Sequence, residues 1–297
     1  MTDFQYRNEA HLEPAEFGRF AGLIEAAAQH VADLSAFALP RRIVVCAVTP
    51  DVYIARQVEH NVAVTRLALA TLPAGSTASE LSNSLVDRAR RGASTLAAHY
   101  YPTCRATLLR RDSGTLDLTF IPEVYDQHLH PTGRQLVTLF AHQLASLAQY
   151  EAYPELLFAQ VRCSMLDAPK LLPEAQRRRP VVLTPGYSQH IERLVSKALC
   201  GQAVVGALPD EPPPSDVYRD LRADLASPVS SRQVDESEAF VVALLGAGGN
   251  PLLRQVLGRE DLYPTAADLA DPTRWLTRHE AAVADATENG SDTAGDG

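Results

Sequence analysis

Apolar positions along the chain recur mostly at three- and four-residue spacing, a period that predicts helix over most of its length. The clearest case is residues 134–150, RQLVTLFAHQLASLAQY. Leu136, Phe140, Leu144 and Leu147 form an apolar stripe, and Gln135, Thr138, His142, Ser146 and Gln149 form a polar stripe beside it. Before it, helices are predicted over 14–36, with Phe17, Phe20, Leu23, Ile24, Ala27 and Val31 on one face, over 52–72, and over 78–100 with Ser76 or Thr77 as cap. The run IVVCAV at 43–48 is too short to assign by period: its β-branched residues favour a strand, and a buried helix end is the alternative. At 115–121, Leu116, Leu118 and Phe120 alternate with Asp117 and Thr119. With Asp112-Ser113-Gly114 as the turn, this predicts a small hairpin with 106–110.

After the central helix a second one is predicted over 154–166, then an irregular stretch from Arg177 to Pro180, then helix over 186–199 through Ile191, Leu194, Val195 and Leu199. Residues 209–231 are rich in Pro, Asp and Ser and read as an exposed, poorly ordered excursion. Helix resumes over 238–245, is broken by Gly246, Gly248 and Gly249, and returns over 251–257. Thr265 with Asp268, and Asp271 before Pro272, are helix starts. Beyond 285 the tail ATENGSDTAGDG has too little apolar surface to fold. No internal repeat is visible. The expected fold is mainly α, an α+β chain with a small β-hairpin. It is divided into an N-terminal helical region (1–90), a main domain (91–284) and a disordered tail (285–297).

A hydrophobic share of 46% in 297 residues supports a sizeable core. The net charge of -9 and a pI near 5.5 argue against a general nucleic-acid binder, which needs a basic face. The short basic clusters at 88–91 and 177–179 read as solvated helix faces or linker. Cys46, Cys104, Cys163 and Cys200 stand too far apart for a C-x-x-C metal knuckle, and they read as reduced thiols. The N-terminus carries no apolar secretory segment, and no run approaches the roughly 20 apolar residues of a membrane span. The expectation is a cytoplasmic protein without nucleic-acid or membrane partners.

Candidate chemistry centres on His142-Gln143-Leu144-Ala145-Ser146, which has the outline of H-E-x-x-H. In that motif two histidines one turn apart share a Zn²⁺, and the Glu activates the metal-bound water. The chain resembles a family of bacterial zincin-like metallopeptidases, some of whose members are labelled as associated with deazaflavin-cofactor biosynthesis. The stretches that carry the resemblance come in order: GTLDLTFIPEVYDQHL at 114–129, LFAHQLASLAQY at 139–150, GYSQHIERL at 186–194, then EAFVVALLGAGG followed by LYPTAADLADPTRWLTR. Coverage runs from about residue 90 to 278.

The resemblance implies a zincin-like helical metallopeptidase scaffold, and the departures fall on its chemistry. The first histidine ligand maps to His142, but the general-base Glu maps to Gln143, which takes no proton from water. The second histidine maps to Ser146, and the third ligand to Pro185, which has no donor atom. Glu123, Tyr187, Gln149 and His190 are candidates for a remaining pocket, while Phe240 and Trp275 read as core anchors. His128 and His130 are weaker candidates for a replacement ligand set. The expected function is that of a pseudoenzyme, a catalytically inactive zincin-like protein acting through binding as a partner, regulator or scaffold. No cofactor is expected, and a protein partner or a homo-oligomer is. The alternative is a metal-dependent hydrolase with a rebuilt site drawn from His142, His190, His128, His130 and Glu123, the one case in which zinc would be held.

Overall fold

The computed structural model describes residues 2–71, 82–110, 114–159, 183–201, 213–225 and 228–291. The chain forms two compact units: Met1–Glu151 with Ile191–Ser227, and Ala152–His190 with Pro228–Gly297. The sequence boundaries at 90 and 285 do not coincide with this division. The fold is mainly α with one small sheet, as the apolar period implies.

In the first unit, β1 (Asp3–Asn8), α1 (Pro14–Leu34), β2 (Arg42–Ala47), α2 (Pro50–Ala70), α3 (Ser82–Tyr100), β3 (Thr107–Arg110) and β4 (Leu116–Phe120) precede α4 (Gly133–Ala152). The sheet order is β1-β2-β4-β3, with β1, β2 and β4 parallel and β3 antiparallel to β4. The hairpin predicted at 106–121 is therefore half of a four-stranded sheet, completed by β2, the strand favoured for the run at 43–48, and by β1, which no predicted element covered.

The sheet is covered on both faces, which explains β2. Val45, Ala47, Leu118 and Phe120 share one face by register, and Phe120 packs on Phe20 of α1 and Phe140 of α4, at ring-centroid distances of 5.0 and 5.6 Å. Cys46 and Leu109 lie on the other side with Tyr53 of α2 and Ala97 of α3. An inner parallel strand buried on both faces needs apolar residues at every position, so it reads as an unbroken run. β1 and β3 are the edge strands. On β1, Phe4 and Tyr6 stack at 5.9 Å, while Asp3 is exposed.

Among the described residues two further helices follow: α5 (Leu183–Cys200), which spans the unit boundary at residue 190, and α6 (Asp216–Leu225). The second corrects the reading of 209–231 as a poorly ordered excursion. Ser215 starts α6 by accepting from the backbone N–H of Tyr218 at 3.2 Å, and its own N–H donates to the carbonyl of His128 at 2.7 Å. A prolyl stretch thus ends in an N-cap, and the apolar Tyr218 behind it is buried.

The second unit is built around α7 (Pro228–Leu257), with α8 (Ala266–Ala270), α9 (Pro272–Arg278) and α10 (Glu280–Ser291). The predicted break at three glycines narrows to one: helix continues past Gly246 and Gly248, and the non-helical residue is Gly249, at φ 62°. Trp275 is fully buried, meets Phe240 edge-on at 5.7 Å and donates its indole N–H to the Leu262 carbonyl at 2.9 Å. Thr265 and Asp268 form the predicted capping box, and Arg278 pairs with Asp268 at 2.6 Å. The tail expected to be disordered from 285 is helical to Ser291.

Within α7, Asp235–Leu257 is long and apolar enough to cross a membrane by length and composition, contrary to the reading that no run comes close. A core helix passes the same test, and Phe240, Val241 and Leu244 are buried here. Cys163, the basic cluster at 177–179, the turn residues Asp112 and Ser113, the caps Ser76 and Thr77 and most of the helix expected over 154–166 lie outside the described residues.

Candidate functional site

The central helix α4 is started by Thr132 and Gln135. The Gln135 N–H donates to Thr132 Oγ1 at 3.3 Å and the Thr132 N–H donates to Gln135 Oε1 at 3.0 Å, a reciprocal cap in the T-x-x-Q pattern. With the start fixed and Leu136, Phe140, Leu144 and Leu147 buried, the helix rotation places His142 and Gln143 at its half-buried border.

His142 is held by Glu192 of α5, Nδ1 to Oε2 at 2.9 Å. The Glu192 side chain is 8% exposed and the His142 ring 26%, so the carboxylate is the inner partner. A carboxylate on Nδ1 fixes the tautomer and orientation of an imidazole and leaves Nε2 as its free nitrogen.

Gln143 lines a cleft of about 670 Å³, within the first unit, between α2, α3 and the approach to β3. Its other polar lining comes from Gln57, Asn61, Tyr53, Tyr100, Thr103, Cys104, Thr107, Arg105 and Arg222. Among the described residues no carboxylate lines it. Arg105 is the most constrained of these groups: its Nε donates to the Tyr218 hydroxyl at 3.1 Å, and its backbone carbonyl accepts from the Tyr125 hydroxyl. Burial works against the Arg105 charge, whereas Tyr218, Glu192 and Tyr125 favour it, and the net effect raises its pKa above the ordinary arginine value. Burial pushes the Cys104 thiol up to about 11, so this cysteine is a neutral wall of the cleft and not a nucleophile.

The remaining candidates are distributed as follows. Ser146 and Gln149 are buried on α4, and the Gln149 amide donates to the Ala145 carbonyl at 3.4 Å. Glu123 is half-buried in a short turn after β4. His128 contacts Ser215 Oγ at 3.3 Å, and His130 has a left-handed backbone at φ 49°. Pro185, Tyr187 and His190 lie on the part of α5 that belongs to the second unit, with Tyr187 buried and Pro185 and His190 half-buried. The α5 residue bonded to His142 is Glu192, two positions beyond His190, the residue the motif suggested.

Three residues of this site, Glu192, Arg105 and Tyr218, were missed from the sequence. For Glu192 a signal exists: Ser188, Glu192 and Ser196 recur every four residues and are all buried, a polar stripe on the inner side of an amphipathic helix. Arg105 and Tyr218 come from distant segments and carry no local pattern.

A catalytic zinc requires about three protein ligands around an open position. Among the described residues no group of three or more His, Cys, Asp or Glu side chains stands together to hold a metal ion. The residues described do not fit the metal centre that the zincin resemblance implies.

No family model and no curated protein matches the chain. Among solved structures, the crystal structure of a Chloroflexus aurantiacus protein, described as having a novel fold and given hydrolase as a provisional label, is similar to it. The sequences are 16% identical, the match covers 91% of this chain and 93% of that one, and the TM-score is 0.45. At that score the likeness carries no argument about activity.

Proposed function

We propose that this chain is a catalytically inactive, zincin-like protein that acts by binding, with the cleft beside Gln143 as its ligand site. The observation that carries the reading is the charge of that cleft. Gln143, at the position where the motif has its general base, faces a cavity lined by Arg105 and Arg222 and, among the described residues, by no carboxylate. Two guanidinium groups raise the cost of bringing a divalent cation there, and a neutral amide has no basic atom to activate water. The motif's second histidine position is the buried Ser146, so α4 presents a single imidazole.

The second reading, a hydrolase with a rebuilt site, has one observation in its favour. The Glu192–His142 pair at 2.9 Å is the arrangement that orients a working imidazole, whether as metal ligand or as general base.

The test is to purify the full chain without chelator or histidine tag, measure zinc by inductively coupled plasma mass spectrometry, and assay peptide hydrolysis in parallel. The expected result is far less than one zinc per chain and no hydrolysis that chelation or His142→Ala abolishes. One equivalent of zinc together with chelator-sensitive hydrolysis lost in His142→Ala would overturn the inactive reading.

A further inference from the structure

We infer that the cleft of the first unit binds a small organic anion, with Arg105 as the principal holder of its carboxylate or phosphate group and Arg222 at the rim. This rests on the binding reading above and names the chemical class of its ligand. Three features of the site converge on it.

Arg105 is positioned before any ligand arrives. The Tyr218 hydroxyl accepts from its Nε–H, and the Tyr125 hydroxyl donates to its backbone carbonyl, so the guanidinium and the main chain that carries it are both anchored. Among the described residues Tyr218 is the one side chain that accepts a hydrogen bond from Arg105, so the two terminal amino groups of the guanidinium remain for a ligand. A fixed planar fork matches the two oxygens of a carboxylate or phosphate.

The neighbours suit an anion with a body attached. Gln57 and Gln143 bring neutral amides to the same cavity, and Asn61, whose amide donates to the Gln57 carbonyl at 2.8 Å, lines it beside them. A cleft of about 670 Å³ is several times larger than an inorganic ion needs and falls in the range of metabolite-sized sites. The α3 wall is apolar and low: Gly92 lines the cleft, and a Cβ added there meets no atom within 4 Å.

That open space at Gly92 supplies a clean test. Gly92→Leu adds an apolar side chain on the cleft wall, at a position where a Cβ has room, and replaces a mid-helix glycine with a strong helix former, which favours α3. Gln143→Glu is the second variant; it places a negative charge on the cavity wall at a half-buried position.

Isothermal titration calorimetry of the full chain, at constant ionic strength in chloride, is run with inorganic phosphate and separately with succinate. Saturable binding of either is expected, with a dissociation constant of about 1 mM or lower. Both variants should weaken it by about tenfold or more while far-UV circular dichroism stays unchanged. Binding of phosphate alone or succinate alone identifies which group the fork accepts. Absence of binding by both anions, or variants that bind as the wild type does, would overturn the inference. The zinc and hydrolysis assays are scored separately. Hydrolysis with anion binding intact removes only the inactive reading, and absence of both removes only the present inference.

Discussion

His60, on α2, accepts a hydrogen bond from the backbone N–H of Arg110 at 2.8 Å, satisfying an amide of the edge strand β3. An imidazole that accepts through Nδ1 must keep its proton on Nε2, and protonation would turn the acceptor into a donor facing a donor. Burial, with the nearby Arg110 charge, lowers its pKa from 6.5 to about 4. The unfolded chain therefore binds this proton before the folded one does. The resulting stability is complete above pH 6.5 and is lost as pH falls toward 4. This group alone should remove about 2 kcal/mol between pH 7.5 and 5. Urea unfolding across that range should show the loss in the wild type and a flatter profile in His60→Asn, which keeps an acceptor oxygen and does not titrate. Equal slopes in the two proteins would mean that His60 is neither buried nor bonded as described. Gln143 and Ser146 were singled out at this scale because a motif names their positions. Arg105 was not, since what distinguishes it from the chain's other arginines is a tyrosine more than a hundred residues away.

Between elements, the tightest constraint is where α5 meets α7 in the second unit. A Cβ at Gly186 would lie 2.6 Å from the Ser237 carbonyl oxygen and 2.7 Å from its carbon. Those are backbone atoms of a helix and cannot rotate away, so glycine here permits close approach and does not serve a turn. Gly186→Ala should cost about 1–3 kcal/mol through overpacking, more than the gain in helix propensity of up to about 1 kcal/mol. The chain has a single tryptophan, Trp275, buried in that unit, and its fluorescence during thermal unfolding reports the loss directly. An unchanged or higher midpoint would show that the helices lie farther apart. Helix packing of this kind also explains what was misread in the sequence. Residues after 285 looked too poor in apolar surface to fold. Yet Ala282 and Ala286 are buried one turn apart, and a Cβ at Gly248 would lie 3.5 Å from that of Ala286. Small residues on both helices replace apolar bulk with proximity, and composition does not register proximity. β1 was missed because an edge strand of six residues with two aromatic positions offers too little alternation to stand out from a loop.

For the molecule as a whole, a net charge of -9 and an arginine-lined cleft have separate consequences. At neutral pH the long-range field opposes an approaching anion, so any anion affinity arises from short contacts at Arg105 and the amides, within a Debye length of about 8 Å in physiological salt. The same field keeps copies of the chain apart, and it vanishes near the pI of 5.5. Loss of repulsion and loss of stability through His60 therefore begin in the same pH interval, and the two are separable because they act on different observables. Static light scattering on titration from pH 7.5 should peak near pH 5.5, while far-UV circular dichroism at that pH keeps its helical minima and the scattering reverses on return to pH 7.5. Scattering that rises only together with loss of helix would assign the effect to unfolding.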